Sequence, residues 1–182
     1  MNASERTTLL RDCTVVVIPS GEEVTLPQGS EVVIVQSLGG NFTVQSSRGY
    51  LARVEPGDAD ALGLEALSSA PPEPGDSGPF SLDAVTEVLR TVYDPEIPIN
   101  VVDLGLIYAC DAHQLGDGTY RVEIEMSMTA PGCGMGDVLK EDARRRVAAV
   151  PGVSAVEVEL VWDPPWDLSR LTEDARLELG MW

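Results

Sequence analysis

The sequence predicts an α+β fold in two parts: a small all-β unit, then a compact domain ordered helix, β-hairpin, helix, strand and short helix. Three observations lead there. Short β-branched runs separated by turn residues fill the first half. A stretch from Ser68 to Pro79 holds four prolines, which forbid a regular helix and favour an extended spacer. Beyond it, helical and period-two apolar patterns alternate.

In the first half, Thr14–Ile18, Glu23–Leu26, Val32–Val35, Phe42–Gln45 and Tyr50–Val54 read as strands. Pro19-Ser20-Gly21, Pro27-Gln28-Gly29, Gly39-Gly40-Asn41 and Ser47-Arg48-Gly49 break them. No chemistry-bearing motif occurs here, and Cys13 beside a β-branched run reads as a buried, inert thiol. Asp58 to Leu67 forms one or two helical turns before the spacer. The expected division is therefore 1–56, the all-β unit; 57–79, short helix and linker; and 80–182, the second domain.

In that second domain Ser81 caps a helix running to about Tyr93, with Leu82, Val85, Leu89 and Val92 on one face and Phe80 stapled to Val85. Pro95 ends it. A strand over Leu106–His113, a turn at Leu115–Gly118 and a strand from Tyr120 make a hairpin. Tyr120, Val122, Ile124, Met126 and Met128 alternate with polar residues, so one face is buried. A helix over about Gly134–Ala149 carries the stripe Met135, Val138, Leu139, Ala143, Val147, Val150. Its Arg144-Arg145-Arg146 complements the negative end of the helix dipole. Val153–Trp162 gives a third strand, and Leu171–Leu179 a closing helix.

Composition narrows the function. With 43% apolar residues the chain is globular. Its net charge of −18 leaves no basic patch able to neutralise a phosphate backbone, so nucleic acid and anionic membrane surfaces are excluded as partners. The first residues lack an apolar signal core and no apolar run approaches bilayer length; a cytoplasmic protein is expected. Cys13, Cys110, Cys133 and the single His113 lie far apart, too scattered for a disulfide framework or a complete one-chain metal site.

Three loop segments are candidates for chemistry. The first, Asp94-Pro95-Glu96-Ile97-Pro98 through Asp103-Leu104-Gly105, brings three carboxylates into a stiffened loop. Such groups act as acid and base or bind a hard cation, and caps and turn hydrogen bonds account for them equally well. The second, Thr129-Ala130-Pro131-Gly132-Cys133-Gly134-Met135-Gly136-Asp137, joins the clearest strand to the clearest helix. Gly132 and its neighbours leave backbone N–H groups free, and the helix start favours Cys133 as thiolate, opposed by Asp137. Cys110, within a strand, reads as buried. The third, Trp162-Asp163-Pro164-Pro165-Trp166, either anchors a rigid tail or offers Trp162 and Trp166 to a partner protein.

Taken in order and spacing over residues 81–182, D-P-E-I-P…D-L-G-L-I-Y, T-x-P-G-C-x-M-G-D and W-D-P-P-W resemble the metal–sulfur cluster assembly family that contains SufT. The resemblance implies a domain shaped like the carboxy-terminal domain of cluster scaffold proteins and a role in iron–sulfur cluster maturation without catalysis. It makes Asp94, Glu96, Asp103, Thr129 and Cys133 the motif positions, and the amino-terminal β unit looks like the long form of the family. Gly134 stands where many relatives have proline. Cys133 is then a transient ligand of iron or of an iron–sulfur cluster, its partners the assembly machinery and client apoproteins, with a homodimer the simplest way to supply more thiols. Three alternatives remain open: an adaptor that never touches metal, an accessory factor like those of phenylacetate degradation, and a cysteine-dependent hydrolase or transferase. The last requires a base near Cys133.

Overall fold

The computed structural model describes residues 5–64, 79–132 and 134–181, which fall into two compact units. Cys133 and all but the last residue of the Pro/Gly-rich stretch expected as a linker lie outside the described residues.

The first unit contains β1 (Glu5–Thr8), β2 (Cys13–Ile18), β3 (Glu23–Leu26), β4 (Glu31–Leu38), β5 (Asn41–Ser46) and β6 (Leu51–Val54). They form one antiparallel sheet ordered β1-β4-β5-β6-β2-β3. Alternating side chains from β2, β4, β5 and β6, among them Val15, Val32, Val44 and Val54, make its core. β1 was not anticipated. Its Glu-Arg-Thr-Thr has no apolar member, and it is a strand because β4 offers it a ladder from Glu5↔Ile34 to Thr8↔Glu31. The helical stretch expected near Asp58 is a 3-10 helix over Pro56–Leu62. Its Ala59, Ala61 and Leu62 belong to this unit's core, so the core extends past residue 56.

The second unit begins with α1 (Leu82–Leu89), where Ser81 Oγ accepts from Asp83 N at 3.2 Å. Val85, Leu89 and Val92 are buried as expected, whereas Leu82 is 42% exposed. The helix stops short of Tyr93 because Val92 N turns to Leu89 O and Tyr93 pairs with Asn100. Phe80, expected against Val85, stacks its ring on Tyr120 at 4.0 Å.

β7 (Ile107–Gln114) and β8 (Tyr120–Met126) form the hairpin; β9 (Val153–Leu160) lies parallel to β8 on its other side. The β8-to-β9 crossover carries α2 (Gly136–Ala148), which packs on β9 and on α1. Val122, Ile124 and Met126 of β8 and Leu139, Ala143 and Val147 of α2 are all buried with almost no exposure. The face expected from alternation is therefore the buried one. α2 also buries Asp142, 3% exposed, whose Oδ1 accepts from Arg145 Nη2 and Arg146 Nε, each at 2.9 Å. Arg146 Nη1 reaches on to Thr91 Oγ1 (3.1 Å) just past α1, and Arg144 grips Glu141. The three arginines are thus tied to their own helix and to its neighbour.

After β9 the chain runs through the tryptophan segment and a 3-10 turn, Leu168–Arg170, into α3 (Glu173–Glu178), capped by Thr172. No helix among the described residues is long and apolar enough to cross a membrane.

Candidate functional site

Three loops carry the candidate residues, and their surroundings differ. In the Asp94–Leu106 segment the chain closes on itself: Asp94 N donates to Ile99 O and Val101 N to Val92 O. Asp94 is 2% exposed, while Glu96 is exposed at the loop tip. Both oxygens of Asp103 are occupied, Oδ1 by Arg90 Nη1 (2.5 Å) and Oδ2 by Asn100 Nδ2 (2.6 Å). Asn100 Oδ1 in turn accepts from the backbone N–H groups of Val102 and Asp103. Asp103 accordingly holds a turn. The three carboxylates sit in different surroundings, and among the described residues no three His, Cys, Asp or Glu side chains converge as a metal site.

The Trp162–Trp166 segment braces that turn. Trp166 Nε1 donates to Leu104 O at 2.7 Å, and Tyr108 OH to Pro164 O at 2.8 Å. The Arg170 guanidinium lies over the Tyr108 ring, 3.7 Å from its centre, and Thr172 N donates to Asp103 O. Of the two readings of the tryptophans, anchoring describes Trp166; Trp162 is 46% exposed. Replacing Trp166 with Phe leaves the Leu104 carbonyl without its donor. An expected loss of about 1–2 kcal/mol in denaturant unfolding checks this.

The β8–α2 loop is pinned at both ends. Met128 and Met135 are buried at 2% and 0% exposure. Gly136 lets α2 start close to the sheet: a Cβ there would lie 3.2 Å from Leu160 Cδ1. The helix begins later than expected, with Met135 as its N-cap and no side chain capping it. Thr129 is half-buried, whereas Ala130, Pro131, Gly132 and Gly134 are exposed, Gly132 with φ +79°. Ser127, just after β8, is 1% exposed, and its hydroxyl has no hydrogen-bond partner among the described residues.

The other thiols differ. Cys13 is 1% exposed and burial pushes its pKa up to about 11. Cys110, expected buried, is half-buried, and burial likewise raises its pKa, with Asp111 adding to the effect. His113 is exposed beside Glu123 and pairs across the hairpin with Arg121. That is the far end of β8 from the Thr129–Gly136 loop, roughly 20 Å along the strand.

Sequence reasoning missed Arg90, Asn100, Gly105 and Tyr108 as the framework of the site. An asparagine three positions before an aspartate after a proline turn was the available signal for Asn100.

A family model described as iron-sulfur cluster assembly protein matches residues 82–160. Over 96 residues the chain is 47% identical to a Porphyromonas gingivalis protein named Fe-S protein maturation auxiliary factor, covering 53% of this chain and 88% of that one. The chain belongs to the iron–sulfur cluster assembly protein family. Its likeness to a family member from Staphylococcus aureus, named Fe-S protein maturation auxiliary factor SufT, is 33% identity over 90 residues, 50% of this chain and 98% of the relative. The fold is shared as well. A crystal structure of a domain of unknown function from Bacillus anthracis superposes with a TM-score of 0.50 at 33% identity, covering 55% of this chain and 92% of that one.

Proposed function

We propose that this protein is a maturation factor that helps client proteins acquire iron–sulfur clusters, without catalysing a reaction, and that Cys133 ligates iron or the cluster in passing. The observation that carries the ligand role is the contrast among thiols. Burial raises the pKa of Cys13 and, with Asp111, that of Cys110, while the residues on either side of Cys133 are exposed in a loop fixed at both ends by buried methionines. The names of the P. gingivalis and S. aureus relatives support the maturation role.

In this reading the cluster is cargo. One sulfur cannot hold it, so the remaining ligands come from a second copy, a partner apoprotein or a small thiol. Thr129 and Gly132 shape the loop, and the Ser127 hydroxyl at its base, without a partner among the described residues, is available to donate to a thiolate or sulfide. Asp94 and Asp103 act by fixing the neighbouring turn, with Glu96 at its exposed tip. Partners are the assembly machinery and its clients. A hydrolase is disfavoured because the single His113 lies at the opposite end of β8.

Anaerobic reconstitution with iron and sulfide tests the proposal. After desalting, the parent is expected to retain iron with sulfide-to-iron absorbance, and Cys133→Ser to retain less than about a tenth as much, with Cys13→Ser and Cys110→Ser near parental. Equal iron in parent and Cys133→Ser removes the ligand role. No iron in either moves the function to a metal-free adaptor. At pH 8 a thiol reagent is expected to label Cys133 at least about ten-fold faster than Cys13 or Cys110.

A further inference from the structure

In the tail after β9 both arginines are engaged by neighbouring groups, and although Leu171 and Ala175 are buried, most of its large apolar and acidic groups are exposed. Arg170 lies over the Tyr108 ring, and Arg176 Nη2 donates to Leu168 O and Ser169 O. Exposed on the same stretch are Trp162 (46%), Leu168 (53%), Leu177 (53%), Leu179 (37%) and Met181 (38%), five of the nine large hydrophobic side chains exposed among the described residues. Arg176 gathers several of them: it bonds the Leu168 carbonyl, precedes Leu177, and its own carbonyl accepts from Met181 N at 2.8 Å. The charges around them are acidic and exposed, namely Asp163, Asp167, Glu173, Asp174 and Glu178. Scattered exposed leucines are ordinary; a concentration in one short segment, rimmed by like charge, marks an interaction surface.

We propose that the Leu168–Met181 face docks a basic amphipathic segment of a partner protein, its apolar side chains on Leu168, Leu177 and Met181 and its Lys or Arg on the acidic rim. Charge selects this occupant. A second copy would bring the same acidic rim against itself in a chain of net charge −18, and an anionic membrane surface would be repelled. A cationic segment is attracted over a Debye length and then held by apolar burial. The face contains no residue of the Cys133 loop, and the proposal stands whether or not Cys133 binds metal.

The probe is a synthetic helical peptide of leucine and lysine in an amphipathic pattern. Its control has the same charge, with leucine replaced by glutamine. Binding to the full-length protein is read by calorimetry at two salt concentrations. The parent is expected to bind the leucine peptide at least about ten-fold more tightly than the glutamine peptide, more weakly at high salt. Leu168→Glu with Leu177→Glu is expected to weaken it at least about ten-fold, although both changes add negative charge. That sign separates docking from mere attraction. Asp174→Asn with Glu178→Gln is expected to weaken binding a few-fold at low salt. Leu10→Glu, an equally exposed leucine of the first unit, and Cys133→Ser are expected to bind as the parent does. Equal affinity for the two peptides, or parental affinity in the Leu168→Glu, Leu177→Glu variant, overturns the proposal. So does a parent that sediments as a dimer while that variant is a monomer, since a second copy would then be the occupant.

Discussion

Replacing Gly105 with alanine is expected to destabilise the second unit by about 3 kcal/mol or more. Two penalties combine. Gly105 has φ +68°, a conformation that costs an L-residue about 1–2 kcal/mol. An alanine Cβ would also sit 2.2 Å from the carbonyl oxygen and 2.8 Å from the carbonyl carbon of Arg170, and backbone cannot step aside as a flexible side-chain end can. Either the Asp103–Tyr108 turn or the tail has to move, and the Trp166–Leu104, Tyr108–Pro164 and Thr172–Asp103 hydrogen bonds loosen together. Gly118→Ala is the matched control: its φ is +84° but nothing lies within 4 Å of the added carbon. It should lose only about 1 kcal/mol. Urea unfolding of both variants, followed by far-UV dichroism, separates strain from collision. Equal losses would show that the Arg170 carbonyl is not a constraint.

Asp142→Ala is expected to come second, at about 3 kcal/mol. Asp142 is 3% exposed and binds Arg145 and Arg146, and the Arg146 side chain is itself 11% exposed. Removing the carboxylate takes an anion from Arg145 and from the largely buried guanidinium of Arg146, which keeps Thr91 Oγ1 beside it. The cost is chiefly that of weakening the pairing of a largely buried charge. The double change Asp142→Leu, Arg146→Leu should therefore recover much of the loss, because it removes both charges together. Asp142→Ala should also loosen α1 against α2, readable as faster hydrogen exchange at Leu89 and Val92, since the Arg146–Thr91 contact joins the two helices. A double variant no more stable than Asp142→Ala would show that the lost packing volume matters more than the weakened charge pairing.

How much of this was legible in the sequence differs by element, for a physical reason. Period-two alternation over Tyr120–Met126 and the 3.6 period over Met135–Val150 report which face each element buries, because a side chain's direction is set by its own strand or helix. The β unit, the hairpin, the order of helices and the pinned Thr129–Gly136 loop followed from those local rules, and the three motifs pointed to the family. β1 escaped because a four-residue polar strand has no pattern of its own; its ladder is supplied by β4. Leu82 escaped because periodicity locates a stripe without saying where cover ends. Asp103 escaped in a different way. Its residue type suits a ligand, a base or a turn, and only the arrival of Arg90 and Asn100 from positions before it in the chain assigns both its oxygens. The same holds for the Trp166 indole on Leu104 and the Arg170 backbone against Gly105, pairs brought together across the domain. The sequence by itself determined most of the elements, the main faces they bury and the position of Cys133 between strand and helix. The tertiary structure alone decided which polar groups brace the fold and which apolar ones face solvent, because satisfying a carboxylate or covering a leucine takes atoms from elsewhere in the chain.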